Sequence, residues 1–149
     1  MHKSLLDGIL DFDLHPYGYF IAVSFGFNAK IYSLEHDALN LIYTYNAQNI
    51  KRIKFSPNGS DLVIMSQKTI KILDSYSFAI KYILQEKTSQ SSFTNFAFSP
   101  SGLEFCAVYD NIFVNIHDGQ AYSKINSIKP GHSPLLGAHD KILTIIPDT

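Results

Sequence analysis

Tryptophan is missing from the sequence, and cysteine occurs once, at Cys106. A lone cysteine allows no internal disulfide, which excludes a small disulfide-stapled fold and suits a reducing compartment. Charge of one sign is lacking too: 12 basic side chains meet 13 acidic ones, for a net charge of −1. That balance gives no electrostatic footprint for nucleic acid or an anionic membrane surface. No apolar run approaches the roughly 20 residues needed to span a bilayer. The N-terminal Leu5-Leu6 pair is broken by Asp7 and Gly8 before a signal-peptide core forms. Helical periodicity is scarce, since no long segment repeats apolar residues at i, i+3, i+4 and i+7. The expectation is an all-β, soluble cytoplasmic protein with neither nucleic acid nor membrane as partner.

Strand-forming side chains are plentiful. Nine Tyr, eleven Phe and many isoleucines stand in 149 residues that are 46% apolar, enough to supply the core of one domain. The clearest unit is Ile53-Lys54-Phe55-Ser56-Pro57-Asn58-Gly59, an alternating run entering a Pro-Asn-Gly turn, followed by Leu62-Val63-Ile64-Met65. Pro57 sets the φ of a turn entry and Gly59 accepts a positive φ, so the stretch reads as strand, turn, strand. It recurs as Phe12-Asp13-Leu14-His15-Pro16-Tyr17-Gly18 and as Phe96-Ala97-Phe98-Ser99-Pro100-Ser101-Gly102, with prolines 41 and 43 residues apart. A period in the low forties is the signature of a four-stranded unit repeated radially, one propeller blade per copy. A further copy begins at Leu143-Thr144-Ile145-Ile146-Pro147.

Aligned on these prolines, the positions two and four residues earlier are apolar in every copy: Leu14, Phe55, Phe98 and Ile145, then Phe12, Ile53, Phe96 and Leu143. A one-residue slip would turn that face to water, so the register is a packing constraint. Alternation in the first copy predicts that Leu10, Phe12 and Leu14 point inward while Asp11, Asp13 and His15 face solvent. The run from Tyr19 to Phe25 predicts a strand buried on both faces. Residues 1–8 are a lead-in; blades then span about 9–46, 50–84 and 93–128, with the start of the next over 139–149. The polar tract 85–92 and the proline-rich stretch 129–134 are expected to be loops.

With these units in view, the chain resembles the WD-repeat β-propeller proteins over roughly residues 9–149. Phe55 to Gly59 and Phe98 to Gly102 resemble the family's F-S-P-D-G turn. Thr69-Ile70-Lys71-Ile72-Leu73-Asp74 resembles its third strand, T-I-K-I-W-D, with Leu73 in the place of the eponymous Trp. Leu136-Gly137-Ala138-His139-Asp140 resembles its glycine-histidine element, with Ala138 inserted. Asp74 and His139 then match the family's hydrogen-bonded Asp and His, and so few matches leave apolar packing to hold the blades together. The wording of Leu14 to Phe25 is similar to blades of cilia- and flagella-associated WD-repeat proteins.

The resemblance implies an all-β WD-repeat β-propeller, three blades plus the start of a fourth, acting as a noncatalytic scaffold. Its partners would be other proteins, either axonemal subunits or the remainder of the propeller, in the cytoplasm or a ciliary or flagellar axoneme. Two alternatives stand beside it: a WD-repeat subunit of a nuclear or RNA-processing complex, and the propeller part of an enzyme whose catalytic domain lies outside this chain. The F-R-R-G motif of the phosphoinositide-binding subclass does not occur. Fewer than four blades do not close around an axis. Three units and the start of a fourth therefore predict two open flanks, completed by further blades or a partner chain.

A search for chemistry yields no catalytic, cofactor-binding or metal residue to nominate. His15 takes the turn position of Ser56 and Ser99, and His132 and His139 are seven apart, a spacing no common ligand pair uses. Asp11 and Asp13 read as solvated edge charges. Cys106 lies in an apolar run with no nearby cation to lower its pKa and reads as a buried small side chain. Lys51, Arg52 and Lys54 form the one basic cluster, read as solvated or paired with acids across blades, with an acidic partner as the alternative. No Gly-rich phosphate cradle or nucleophile elbow occurs.

Overall fold

The computed structural model of the chain describes residues 8–86 and 91–129. Every regular element among them is a strand, and no helix is long and apolar enough to cross a membrane. Sheet 1 comprises β1 (Asp11–Leu14), β2 (Phe20–Ser24), β3 (Asn28–Glu35) and β4 (Ala38–Asn46). Sheet 2 comprises β5 (Ile50–Phe55), β6 (Asp61–Ser66), β7 (Thr69–Asp74) and β8 (Ile80–Gln85). Sheet 3 comprises β9 (Phe93–Phe98), β10 (Glu104–Tyr109), β11 (Phe113–Asp118) and β12 (Lys124–Ile128). Each is an antiparallel meander with its strands in chain order. The expected further unit at 139–149 lies outside the described residues. Sheets 1 and 2 belong to one compact unit, residues 1–89, and sheet 3 to another, residues 90–149.

The three sheets share one ladder, residue for residue. Asp13–Ala22–Ile31–Tyr43 runs across sheet 1, Lys54–Val63–Ile72–Tyr82 across sheet 2 and Ala97–Cys106–Ile116–Asn126 across sheet 3. Each third strand also meets its fourth across a bulge at the same place, which skips Ile42, Lys81 or Ile125. A bulge adds one residue to one strand and increases the local twist. Its recurrence means that the repeat is one of backbone geometry as well as side-chain pattern. Gly18, Gly59 and Gly102 close the repeated first turn at φ 77°, 79° and 77°.

The core of the first unit lies between its two sheets. Ala22, Ala29, Ile31 and Tyr45 of sheet 1 meet Ile50, Ile53, Phe55, Leu62, Ile64 and Leu73 of sheet 2. Each fully buried Ile or Leu contributes about 1.5–3 kcal/mol relative to exposure. Tyr43 and Phe78 stack at the margin, with ring centroids 4.5 Å apart. In sheet 2 the second strand is buried throughout, from Asp61 to Met65.

Sheet 1 reverses the expected orientation of its first strand. Leu10, Phe12 and Leu14 are exposed, while Asp11 and Asp13 turn toward sheet 2. The expectation of strand burial over Tyr19 to Phe25 holds at Ala22, Val23 and Ser24 but fails at Tyr19, which is exposed, and at Phe20 and Ile21, which are half-buried. Alternation sorts residues onto faces, but a neighbouring sheet decides which face is covered. Here that neighbour lies on the acidic side.

Candidate functional site

The seam between sheets 1 and 2 takes up the residues that the sequence offers as chemistry. Asp11 Oδ2 accepts the Ile53 N–H at 2.9 Å, and Asp13 Oδ2 accepts the Phe55 N–H at 2.8 Å. These two amides point away from β6, since the antiparallel ladder uses only alternate N–H groups of an edge strand. Asp11 and Asp13 are therefore not solvated edge charges. They cap the open edge of β5, and a carboxylate accepting an amide proton makes one of the stronger hydrogen bonds.

His15 sits at the end of this seam and is more than a turn residue. The Tyr17 N–H donates to its Nδ1 at 3.1 Å, so the proton resides on Nε2, which donates to the Gly59 carbonyl at 2.9 Å. Rings of Tyr17, Tyr19, Phe20, Phe55 and Tyr76 surround the imidazole, with centroids 5.1–5.8 Å away. Ser75 donates its hydroxyl to the same Gly59 carbonyl. Gly59 has to be glycine on two counts: its φ is positive, and a Cβ there would lie 2.6 Å from His15 Nε2. At the equivalent positions Ser56 and Ser99 perform a local task, each hydroxyl accepting the N–H five residues on.

The remaining polar candidates are structural as well. Asp74 accepts the N–H groups of Tyr76 and Ser77, and Asp118 those of Gln120 and Ala121, closing the same turn in sheets 2 and 3. Both carboxyls are held below their ordinary value by these amides, chiefly Ser77 for Asp74 and Ala121 for Asp118. Asp74 thus caps its own turn; His139 lies outside the described residues, as does His132. Lys81, the bulged residue of β8, reaches the buried Asp61 at 2.5 Å, and that hydrogen bond raises its pKa. Cys106 is half-buried rather than fully buried, and burial, followed by Glu104, pushes its thiol up, away from nucleophilic use. Sequence reasoning passed over His117. It is buried at Leu73's position in sheet 3 and donates from Nδ1 to the Tyr122 carbonyl at 2.9 Å. Among the described residues no three of His, Cys, Asp and Glu converge as metal ligands would.

An open groove of about 720 Å³ remains at one end of the first unit. Its walls are the β2–β3 turn, residues 25–27, and the connection from β4 into β5. Two backbone bonds fix these walls together, Ile50 N–H to Gly26 O at 2.6 Å and Ala47 N–H to Phe27 O at 3.2 Å. Leu10 and Phe27 expose apolar surface in the groove, Lys51 brings a charge from the basic cluster, and Gln48 and Asn49 bring amides. The groove thus combines exposed apolar surface with side-chain amides and one cation.

Compared with known proteins, the chain matches no protein-family model, and no curated protein matches it.

Proposed function

We propose that this chain is a noncatalytic protein-interaction module of WD-repeat-like propeller blades, which binds an acidic, partly apolar segment of another protein in the groove beside Phe27 and Lys51. The observation that carries this reading is the division of labour in the first unit. Asp11, Asp13 and the buried His15 are consumed in holding two sheets together, while a groove at one end of the unit is apolar and cationic. The propeller reading draws support from three meanders with one shared ladder and one shared bulge, at the repeat length of blades. We further propose a ciliary or flagellar axoneme as the place of action, a reading that rests on the resemblance of Leu14 to Phe25 alone.

The test is a photo-cross-linking residue at position 27 of the full chain, with position 111 as control. One protein species should be captured at 27, and Lys51→Glu should abolish its capture without lowering the melting temperature. Equal capture at both positions, or capture insensitive to Lys51→Glu, would remove the groove from the function. Co-sedimentation with purified axonemes tests the location, and failure to sediment with them would count against it.

A further inference from the structure

β4 is an edge of sheet 1, and it is built unlike the fourth strands of the other two sheets. β3 and β4 run for eight and nine residues, where β7 and β8 run for six each and β11 and β12 for six and five. The added length is a hairpin tip closed by His36 and Asp37, both at positive φ, as a tight two-residue turn requires. Residues 38–42 are all exposed. No charged residue and no proline stands in Ala38–Asn46, whereas β8 holds Lys81 and β12 opens on Lys124. Charge, proline and shortness are among the devices that keep an edge strand from pairing with another chain. β4 uses none of these, and its bulge at Ile42 comes only after Leu41.

The ladder fixes which groups this edge presents. The Leu34 N–H bonds to Tyr19 O, on the β2 side. By alternation the amides of β3 that face β4 are those of Ile31, Ser33 and Glu35, opposite Tyr43, Asn40 and Ala38. The N–H and C=O groups of Leu39 and Leu41 therefore point outward. Their side chains share one face and are 60% and 52% exposed. Asn40, midway between them, is exposed on the opposite face. Asparagine is depleted in strands, and among the described residues no hydrogen bond engages this side chain.

We infer that β4 pairs edge to edge with β4 of a second copy of this chain, antiparallel, about a two-fold axis through Asn40. In that register Leu39 stands opposite Leu41 of the second copy, and each such pair exchanges both of its backbone hydrogen bonds. An axis at Leu39 would set Leu41 against Asp37 in the turn. An axis at Leu41 would set Leu39 against Tyr43, whose backbone already faces β3. Asn40 is the centre that satisfies every outward group. The second copy is the occupant because the strand complements itself. At the axis a residue meets its own copy, where a charge would be repelled; β4 brings two asparagine amides, each a donor and an acceptor, flanked by leucine beside leucine. A two-fold contact of this kind also closes on itself instead of propagating. None of the residues lining the groove belongs to β4, so the pairing is independent of the proposed function.

The test is sedimentation of the full chain over a range of concentrations, with amide hydrogen exchange as the readout at single residues. The mass should rise toward that of a dimer. Exchange at Leu39 and Leu41 should slow about tenfold in the dimer, the scale of one net backbone hydrogen bond, while Asn40, already paired with Ser33, should not change. Asn40→Lys sets two ammonium groups against each other and should leave a monomer with its melting temperature unchanged. Leu41→Pro removes an outward donor and no bond of the β3–β4 ladder, and should abolish the dimer as well. Phe12→Thr with Leu14→Thr, on the face of the sheet, should leave the dimer intact. A monomer at every concentration would overturn the inference, and so would a dimer that survives Asn40→Lys or one that the two threonines abolish. Protection of Leu39 and Leu41 that does not depend on concentration would overturn it too, by placing another segment of the same chain on β4.

Discussion

His15 and Gly59 interact so closely that neither can be changed alone without the other registering it. Gly18→Ala and Gly59→Ala impose the same positive φ on a side chain, a cost of about 1–2 kcal/mol, but only the second drives a Cβ into an imidazole. Urea unfolding should therefore rank Gly59→Ala well below Gly18→Ala in stability. In a His15→Ala background the excess should vanish, as non-additivity between touching residues requires; an excess that persisted would mean that the clash is relieved elsewhere. At the turns, Asp74 and Asp118 have pKa values lowered from an ordinary 3.8 by backbone amides. A lowered folded pKa means that the stability contributed is complete above the unfolded value and is lost as pH falls through the folded one. Urea midpoints followed from pH 5 down to pH 2 should fall, and Asp74→Asn should flatten the fall. An identical acid profile in the variant would sever the link.

At the scale of strands, equivalent positions differ in what covers them. Ile53→Ala should cost about 2–5 kcal/mol, as for a large-to-small change in a packed core, whereas Phe12→Ala at the same register should cost less than about 1 kcal/mol, because its ring is exposed. Denaturant midpoints of the two variants decide this, and equal losses would mean that Phe12 is covered in solution. The repeated bulge also has a local consequence in sheet 2, where the skipped residue is a lysine paired with a buried acid. Lys81→Met takes the ammonium away from a carboxylate whose side chain is 4% exposed. The expected loss is about 1–3 kcal/mol, below the figure for a fully buried pair because Lys81 itself is 35% exposed. Since its pKa is raised, the contribution of Lys81 is complete at neutral pH and is lost only as pH rises through the folded value.

For the whole molecule the exposed apolar residues matter as surface. Leu10, Phe12 and Leu14 are joined on sheet 1 by Leu39 and Leu41, all more than half exposed. A contiguous apolar face marks an interaction surface or an aggregation liability. Phe12→Thr with Leu14→Thr should lower the binding of a hydrophobic fluorescent dye and raise solubility, with little change in melting temperature. A large drop in melting temperature would instead place these side chains in the core.

The sequence by itself determined the repeat, its period, the strand–turn–strand order and the all-β class, because proline, glycine and two-residue alternation act locally and leave a mark at every copy. It also determined which residues share a face. What it left open was which face is inside, as β1 illustrates: by hydropathy Phe12 and Leu14 belong in a core, yet the structure exposes them and turns the half-buried Asp11 and Asp13 toward sheet 2. The reason is that a carboxylate's place is decided by the donors near it, and here they are the unpaired backbone amides of β5, 42 residues away in the chain. Nor could spacing reveal the His15 contact with Gly59 or the groove beside Phe27. Both form only where separate turns are brought together by packing, and that proximity is a property of the tertiary structure alone.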